Sequence, residues 1–560
     1  MGIPNEIAPH HRATALTISE RLELEMNDED NAARILSAFG EDLVFVSGKG
    51  WAVWDGTRYS FRSGNLAARE VGHKLRQLVL EEADYVQANF EAPPEQIDEF
   101  IEAMARKRPP VFVRTPDDAI NMMGFGAAAE LRKHAIKCGN SAKVKSALET
   151  CEHQRRAEVE DMDNDPWTLT LPNGDLDLRK VRKWERPLGS TGAEVIASKM
   201  EWLRPTDRSN LPTKSCGVVF DPAATCEKWE FFMELIIPDP EVRACTKRIL
   251  GATIFGENRA QICVFLRGPG GNGKSTLLNT LAHILGRRDG YAATCKVEMF
   301  LDTGQQSASG ANPEEVDLPG ARAYIATEPG ARDVLSAKKI KGLTGGDRRM
   351  SRGNYQDPFF WTPTGIPIIS CNRTPKIKDE DEGTRRRLVF VPFDVNLRAL
   401  PAHQQRSQGE VEAELREEGS GILNWMLEGF REFMDRGVDM PEEMQRLKSQ
   451  LLEAADPVGV FLEEMTIKHP DARLAVKEYY LVHEAWCEQG GHQLYQRATV
   501  RNVMIEKGFE TGPILGYAHY KGLRWSDDAA ALVEHATGQR PASAAPDYAP
   551  DRTSDGEPAF

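Results

Sequence analysis

Long apolar runs are missing from this sequence: no stretch approaches the roughly 18 apolar residues that a membrane-spanning helix needs. The opening residues, MGIPNEIAPHHRATALTISERLELEM, hold no apolar signal region, and the sixth position lacks the Ser or Thr of a myristoylation site. Cysteine is scarce and unpatterned. Nine residues without a C-x-x-C exclude zinc-ligand spacing and predict reduced thiols, as in a cytoplasm. Positive charge is in deficit, since 70 Lys and Arg stand against 85 Asp and Glu and leave −15. That excludes a surface coated with nucleic acid and leaves room for a local basic channel. Internal repeats are absent too.

The rest is ordinary globular material, 41% hydrophobic and 28% charged over 560 residues, enough for roughly three or four domains. Residues 1–40 read as a helical lead-in. DLVFVSGKGWAVWDGTRYSF (42–61) alternates around turns at Gly48-Lys49-Gly50 and Asp55-Gly56, which predicts a small antiparallel sheet. Residues 66–156 read as helical. WTLTLPNGDLDLR (167–179) predicts two strands turning at Asn173-Gly174. Residues 226–256 predict two helices separated by Pro238 and Pro240. From 261 to about 396 strands and helices alternate, which predicts a mostly parallel sheet. Helices follow to 455, then a compact helical and β domain to about 526, then a tail rich in Pro, Ala, Ser and Asp that is expected to be disordered.

Gly268-Pro269-Gly270-Gly271-Asn272-Gly273-Lys274-Ser275 fits G-x-x-x-x-G-K-[ST] at every position, between an apolar strand and an apolar helix that opens at Thr276. Glycines there let backbone N–H groups curl around a phosphate, and the helix N-terminus adds its positive dipole end. Lys274 is placed to reach the β- and γ-phosphates of ATP, and the Ser275 hydroxyl to bind Mg²⁺. The loop alone predicts nucleotide binding; a kinase or a GTPase would carry the same one.

Two more strands end in polar groups. GARAYIATEPG ends its strand at Glu328, where a carboxylate organises Mg²⁺ or polarises the attacking water. GIPIISCNRTP ends at Asn372, where an amide hydrogen-bonds the γ-phosphate or the water. Next comes DEGTRRRLVFVPFD. Its arginines, Arg385, Arg386 and Arg387, are candidates for a guanidinium supplied to a neighbouring subunit during phosphoryl transfer. Arg386 is the first choice and Arg387 the second.

In this order, the phosphate loop, Glu328, KGLTGGD, SCN and RRRLVFVPF resemble superfamily 3 helicases. The likeness is to the phage and plasmid replicative primase-helicase family, related to the poxvirus primase-helicase. It covers roughly residues 40–525. It implies an α/β fold: a P-loop ATPase core of AAA+ type (261–397), an α+β helicase-associated N-terminal domain (41–225) and a helical collar (226–260). A helical segment (398–455) and a winged-helix-like C-terminal domain (456–526) precede the tail at 527–560. It implies ATP and Mg²⁺, a ring, commonly a hexamer, that moves 3′→5′ on single-stranded or forked DNA, and a bacterial cytoplasm if phage- or plasmid-encoded. It further implies a pore hairpin, here 347–361, with its tip at Gly353-Asn354. Lys341, Arg348, Arg349, Arg352, Asn354 and Tyr355 then become DNA-contact candidates. From Arg332 to Arg352 there are seven basic residues against two acids, which suits that role. Relatives in the wider superfamily often carry two adjacent acids; here Thr327 precedes Glu328.

About 40 residues precede the resemblance, too few for a primase core, so a separate primase is expected. DMDND (161–165) lacks the glycine and closing glutamate of a calcium loop and reads as a solvated loop. Trp51, Trp54 and Tyr59 read as a small core. Arg497, Arg501 and Lys507 of the C-terminal domain could face phosphates. Two other functions fit the same residues: a ring ATPase that loads or remodels replication proteins, and an origin-binding module whose ATPase only switches assembly.

Overall fold

A computed structural model describes residues 16–539 apart from 63, 187, 303–312, 328–333, 354–355, 373–375, 379–380, 402–404, 456, 491–493 and 515. The chain divides into two compact units. One comprises Met1–Pro329, Lys338–Arg373 and Glu382–Pro441; the other comprises Gly330–Ala337, Thr374–Asp381 and Glu442–Phe560.

The first unit begins with a four-stranded sheet. Leu43–Val46, Gly50–Trp54 and Tyr59–Ser60 run antiparallel, as the alternation predicts, and Arg156–Ala157 adds in parallel beside Leu43–Val46. Helices from Gly64 to Gln154 cover it. Trp51 and Tyr59 are buried, so the aromatic cluster is core. The deepest charge pair in this region is Arg34 with Glu82, 3.1 Å apart and both fully buried. Burial raises the Glu82 carboxyl above its ordinary value, and the Arg34 guanidinium opposes that shift.

A second sheet joins Thr168–Leu171, Gly174–Asp177 and Leu203–Arg204. Its register pairs Leu171 with Gly174, so the two-residue turn is Pro172-Asn173, one position earlier than expected. Two contacts set this register. Gly174 adopts φ +137°, where a Cβ would lie 2.4 Å from the Arg204 carbonyl oxygen. The Asn173 amide is spent on Phe220, donating to its oxygen at 2.9 Å and accepting from its nitrogen at 3.1 Å.

The solvated reading of DMDND is also corrected. The Asp163 carboxylate accepts the backbone N–H of Thr213 at 2.9 Å and the Thr213 hydroxyl, and burial raises its pKa. Asp165 accepts two bonds from Arg179, at 3.1 and 2.7 Å. Alternation of charge in sequence does not show that a segment 50 residues away ties down one of its carboxylates.

Residues 263–392 form the expected parallel sheet. The order across it is Leu388–Pro392, Cys263–Arg267, Ile366–Cys371, Ala323–Thr327, Ala292–Thr294, with every pairing parallel. All six residues of Ile366–Cys371 are buried, as a strand covered on both faces requires. Arg322, just before Ala323–Thr327, fastens this sheet to its neighbours. It donates to the oxygens of Ile254 and, at 2.5 Å, Thr168, with its guanidinium 4.2 Å from the Tyr291 ring centroid. Helices Glu227–Ile236 and Pro240–Ala252 are separated at Pro238; Asp239 caps the second and Pro240 opens it.

In the second unit, Val334–Ser336 pairs in parallel with Lys376–Lys378. The C-terminal part runs helix Pro457–Met465, strand Thr466–Ala475, helices Val476–Gly490 and Arg497–Glu506, strands Thr511–Ile514 and Tyr517–Trp525, then helix Ala530–Thr537. Phe461, Tyr479, Trp486, Tyr520 and Trp525 pack its core. Ala529 and Val533 are fully buried in that core, so the domain extends beyond 526 into the stretch expected to be a tail.

All nine cysteines are buried and none forms a disulfide. Burial pushes Cys138, Cys245, Cys371 and Cys487 up to about 11 and Cys151, Cys216, Cys226 and Cys295 up to about 12, from 9.0; Cys263 moves in the same direction. As pH rises past about 9, the unfolded chain therefore loses thiol protons before the folded one does. Stability is intact below that pH and lost above it, by up to about 1.4 kcal/mol per thiol per pH unit. Urea midpoints measured at about pH 8 and about pH 10 should fall steeply; an unchanged midpoint would contradict the burial.

Candidate functional site: a glycine loop at the carboxyl edge of the parallel sheet

The strand Cys263–Arg267 leaves the sheet at Gly268, and the helix Lys274–Leu285 starts six residues later. Three glycines are demanded by their surroundings. A Cβ on Gly268 would lie 2.1 Å from the Phe393 carbonyl oxygen. One on Gly273, at φ +85°, would lie 2.6 Å from Cγ2 of Ile236. Gly271, at φ +79°, is overlaid by the Arg398 side chain. Gly270 differs, with nothing within 4 Å of its Cβ position. It is exposed together with Pro269 and Ser275, whereas Asn272, Lys274 and Thr276 are buried. The loop is thus clamped on its inner side and open on its outer side.

Lys274 closes the loop on itself. Its Nζ donates to the Gly268 oxygen at 2.5 Å, to Asn272 Oδ1 at 3.0 Å and to Asn372 Oδ1 at 3.4 Å. Asn272 in turn donates to the Phe393 oxygen at 2.8 Å. Gly268 N–H donates to the Cys371 oxygen, and Leu397 N–H to the Gly271 oxygen. The ends of two neighbouring strands therefore meet at one amine, and a third, at Phe393, is tied to the same point through Asn272. The register explains why: Cys371 pairs with Arg267 and Pro392 with Arg267, so Asn372 and Phe393 emerge level with Gly268. Ligands of open α/β sheets sit at this carboxyl edge. Thr327 pairs with Ser370 at the same edge; Glu328, the next residue, lies outside the described residues.

The three arginines are unlike one another. Arg387 is buried and donates to the Gly383 oxygen at 2.6 Å and to Gln261 Oε1 at 2.9 Å. Arg385 ends the short helix Glu382–Arg385. Arg386 is exposed between them.

A cavity of about 620 Å³ opens beside the loop, reaching Gly271, Gly273 and Thr276. Phe231, Phe232, Leu397 and Arg398 wall it. Sequence reasoning missed Phe231 and Arg398. An aromatic on a helix upstream of the loop and an arginine beyond the sheet have no spacing relation to the motif, and only the fold gathers them.

The expected hairpin pairs Arg349–Ser351 with Phe359–Trp361. Arg352 is exposed past its first strand; Asn354 and Tyr355 lie outside the described residues. Lys341 is half-buried on the helix Ala337–Thr344. Arg348 and Arg349 do not stand open. Arg348 donates to both Glu160 oxygens, at 2.7 and 2.6 Å, and Arg349 to Glu315 at 2.5 Å. Ser351 donates to the other Glu315 oxygen at 2.6 Å. Both guanidiniums thus grip carboxylates of their own chain. Among the described residues no cluster of three or more His, Cys, Asp or Glu could hold a metal.

Residues 32–238 match the D5 N terminal like family, and residues 266–387 match a family of unknown function, DUF5906. The chain is 27% identical over 270 residues to "Putative helicase L207/L206" of Acanthamoeba polyphaga mimivirus, covering 46% of this chain and 28% of that protein. It is 31% identical over 168 residues to "Putative helicase 022R" of Frog virus 3, covering 29% and 17%. "Putative primase C962R" of African swine fever virus is 23% identical over 236 residues, covering 42% and 23%. Together these matches support a primase-helicase-like family. The chain spans less than a third of the length of these curated relatives. The apo structure of the NrS-1 C terminal region (305–718) aligns at 13% identity and a TM-score of 0.33, over 53% of this chain and 75% of that one. The glycines of the loop, Asn372 and Arg385–Arg387 fall in the second matched region, and Glu160 in the first.

Glycine requirements along the loop should be unequal. Gly268→Ala and Gly273→Ala are expected to cost about 1–3 kcal/mol or more through overpacking and strain. Gly270→Ala should cost almost nothing in thermal melting. Equal losses at all three positions would contradict the clamped geometry.

Proposed function

We propose that the chain is an ATP-dependent DNA helicase of superfamily 3 that assembles as a ring, commonly a hexamer. It moves 3′→5′ on single-stranded or forked DNA in the replication of a phage, plasmid or other mobile element. The observation that carries this reading is the convergence of Lys274 on Asn272 and Asn372 beneath a glycine loop with an open outer face. The helicase and primase names of the relatives support it.

The residues divide the work of phosphoryl transfer. The N–H groups of the first turn of Lys274–Leu285 have no partner within the helix, and with its dipole they draw an anion. The buried Lys274 amine exchanges the Gly268 oxygen and the amide oxygens for the β- and γ-phosphates. Asn372 then orients the γ-phosphate or the water. The exposed Ser275 hydroxyl fits a Mg²⁺ ligand, with Glu328 assigned from sequence; the ion, when bound, neutralises charge on the triphosphate. The cavity walled by Phe231 and Arg398 takes the nucleobase. Arg386, exposed where Arg387 is internally tied, is the guanidinium lent to the adjacent protomer.

Lys274→Ala should abolish ATP binding. Arg386→Ala should bind ATP yet lose about 10³-fold or more in turnover, and a mixture of the two variants should recover part of the activity. Arg387→Ala should lower the melting temperature, because it removes a buried guanidinium and frees two half-buried partners. Arg386→Ala with normal hydrolysis would remove the trans assignment. Displacement of a labelled strand from a fork tests the helicase itself: full ATPase without displacement would favour a loading or remodelling ATPase.

A further inference from the structure

A loop between two helices of the first unit carries an unusual surface. Residues 106–114, Arg-Lys-Arg-Pro-Pro-Val-Phe-Val-Arg, join helix Pro94–Ala105 to helix Pro116–Ala127. Four of the nine are basic and none is acidic, in a chain whose net charge is −15. Every residue from Arg106 to Phe112 is exposed, and so is Arg114. Phe112 is 85% exposed. An aromatic ring held in water among cations satisfies no core.

The loop is anchored at both ends. Arg106 N–H donates to the Glu102 oxygen, and Val111 N–H returns to the Met104 oxygen at 3.0 Å. Thr115 and Asp118 form a reciprocal cap at the start of the next helix. Pro109 and Pro110 fix φ along the tip and remove two donors. Little conformational entropy is left for a ligand to remove. Two neighbouring acids are committed elsewhere: Glu102 pairs with Arg106 at 2.7 Å, and Asp118 accepts from Thr115. Lys107, Arg108 and Arg114 project from the rest.

We propose that this loop is a contact for single-stranded DNA, separate from the 347–361 hairpin, with Lys107, Arg108 and Arg114 on phosphates and Phe112 stacked on an unpaired base. Cations that track a backbone, interleaved with an aromatic platform, are the chemistry of sequence-tolerant single-strand binding. The inference rests on DNA being the partner, as in the function proposed above.

Fluorescence anisotropy with a labelled single-stranded oligonucleotide and with a blunt duplex, across a salt series, tests it without ATP. The exposed positions should leave melting temperatures unchanged in every variant. The triple variant Lys107→Ala, Arg108→Ala, Arg114→Ala should lower the slope of log affinity on log salt by about 2. Phe112→Ala should weaken single-strand binding roughly 5- to 100-fold and leave duplex binding unchanged, since stacking needs an unpaired base. Wild-type binding that both variants retain in full would overturn the loop assignment and leave the helicase reading standing; so would variants that lose only an acidic peptide. A wild-type protein that binds neither DNA would overturn both.

Discussion

The Lys274 amine ties together the carboxyl edge of the parallel sheet. It sits where three parallel strands end level with one another, and the surrounding backbones approach so closely that Gly268 has no room for a methyl group. A buried cation there needs several oxygens; the loop itself supplies the Gly268 carbonyl and Asn272, and the strand register brings Asn372. Asn272 ties the same point to Phe393, and Leu397 ties Gly271 to the segment that bears Arg398. A change in sheet register by one residue would scatter all of these groups.

The rest of the first unit is fastened to that sheet by buried polar groups rather than by an apolar seam alone. Arg322 reaches the backbones of both the small sheet at Thr168 and the helix end at Ile254. Asp163 holds Thr213 and Lys214, and Ser60 meets Asp289 at 3.2 Å. Removing one partner of such groups strands the other in low dielectric. The same economy marks the hairpin. Arg348 is held by Glu160, from the region matched to the D5 N terminal like family, so a basic residue read as a phosphate ligand already has an anion of its own. Pairs this exposed are worth about 0–1 kcal/mol, little enough for a polyanion to displace.

Legibility followed the range of the interactions. The small antiparallel sheet, the two helices split by Pro238 and the parallel sheet with its glycine loop all rest on local periodicity and local steric rules, and all appear where expected. The turn after Leu171 was displaced because Gly174 answers to Arg204, a contact invisible to a dipeptide rule. Asp163 of DMDND is tied down because the Thr213 and Lys214 backbone reaches it. The helix Ala530–Thr537 escaped notice because its composition resembles the tail that follows, and its one fully buried helical side chain, Val533, finds its core only in three dimensions.

From the sequence alone came the phosphate loop, the order of strands and helices, and the list of polar strand ends, because glycine sterics and hydrophobic period act over a few residues. Tertiary structure decided which arginine is tied down and which is exposed, that Arg348 and Arg349 face carboxylates, and that Phe231 and Arg398 wall a cavity beside the loop. Those depend on chain segments tens to hundreds of residues apart meeting at one place, and no local rule carries that information.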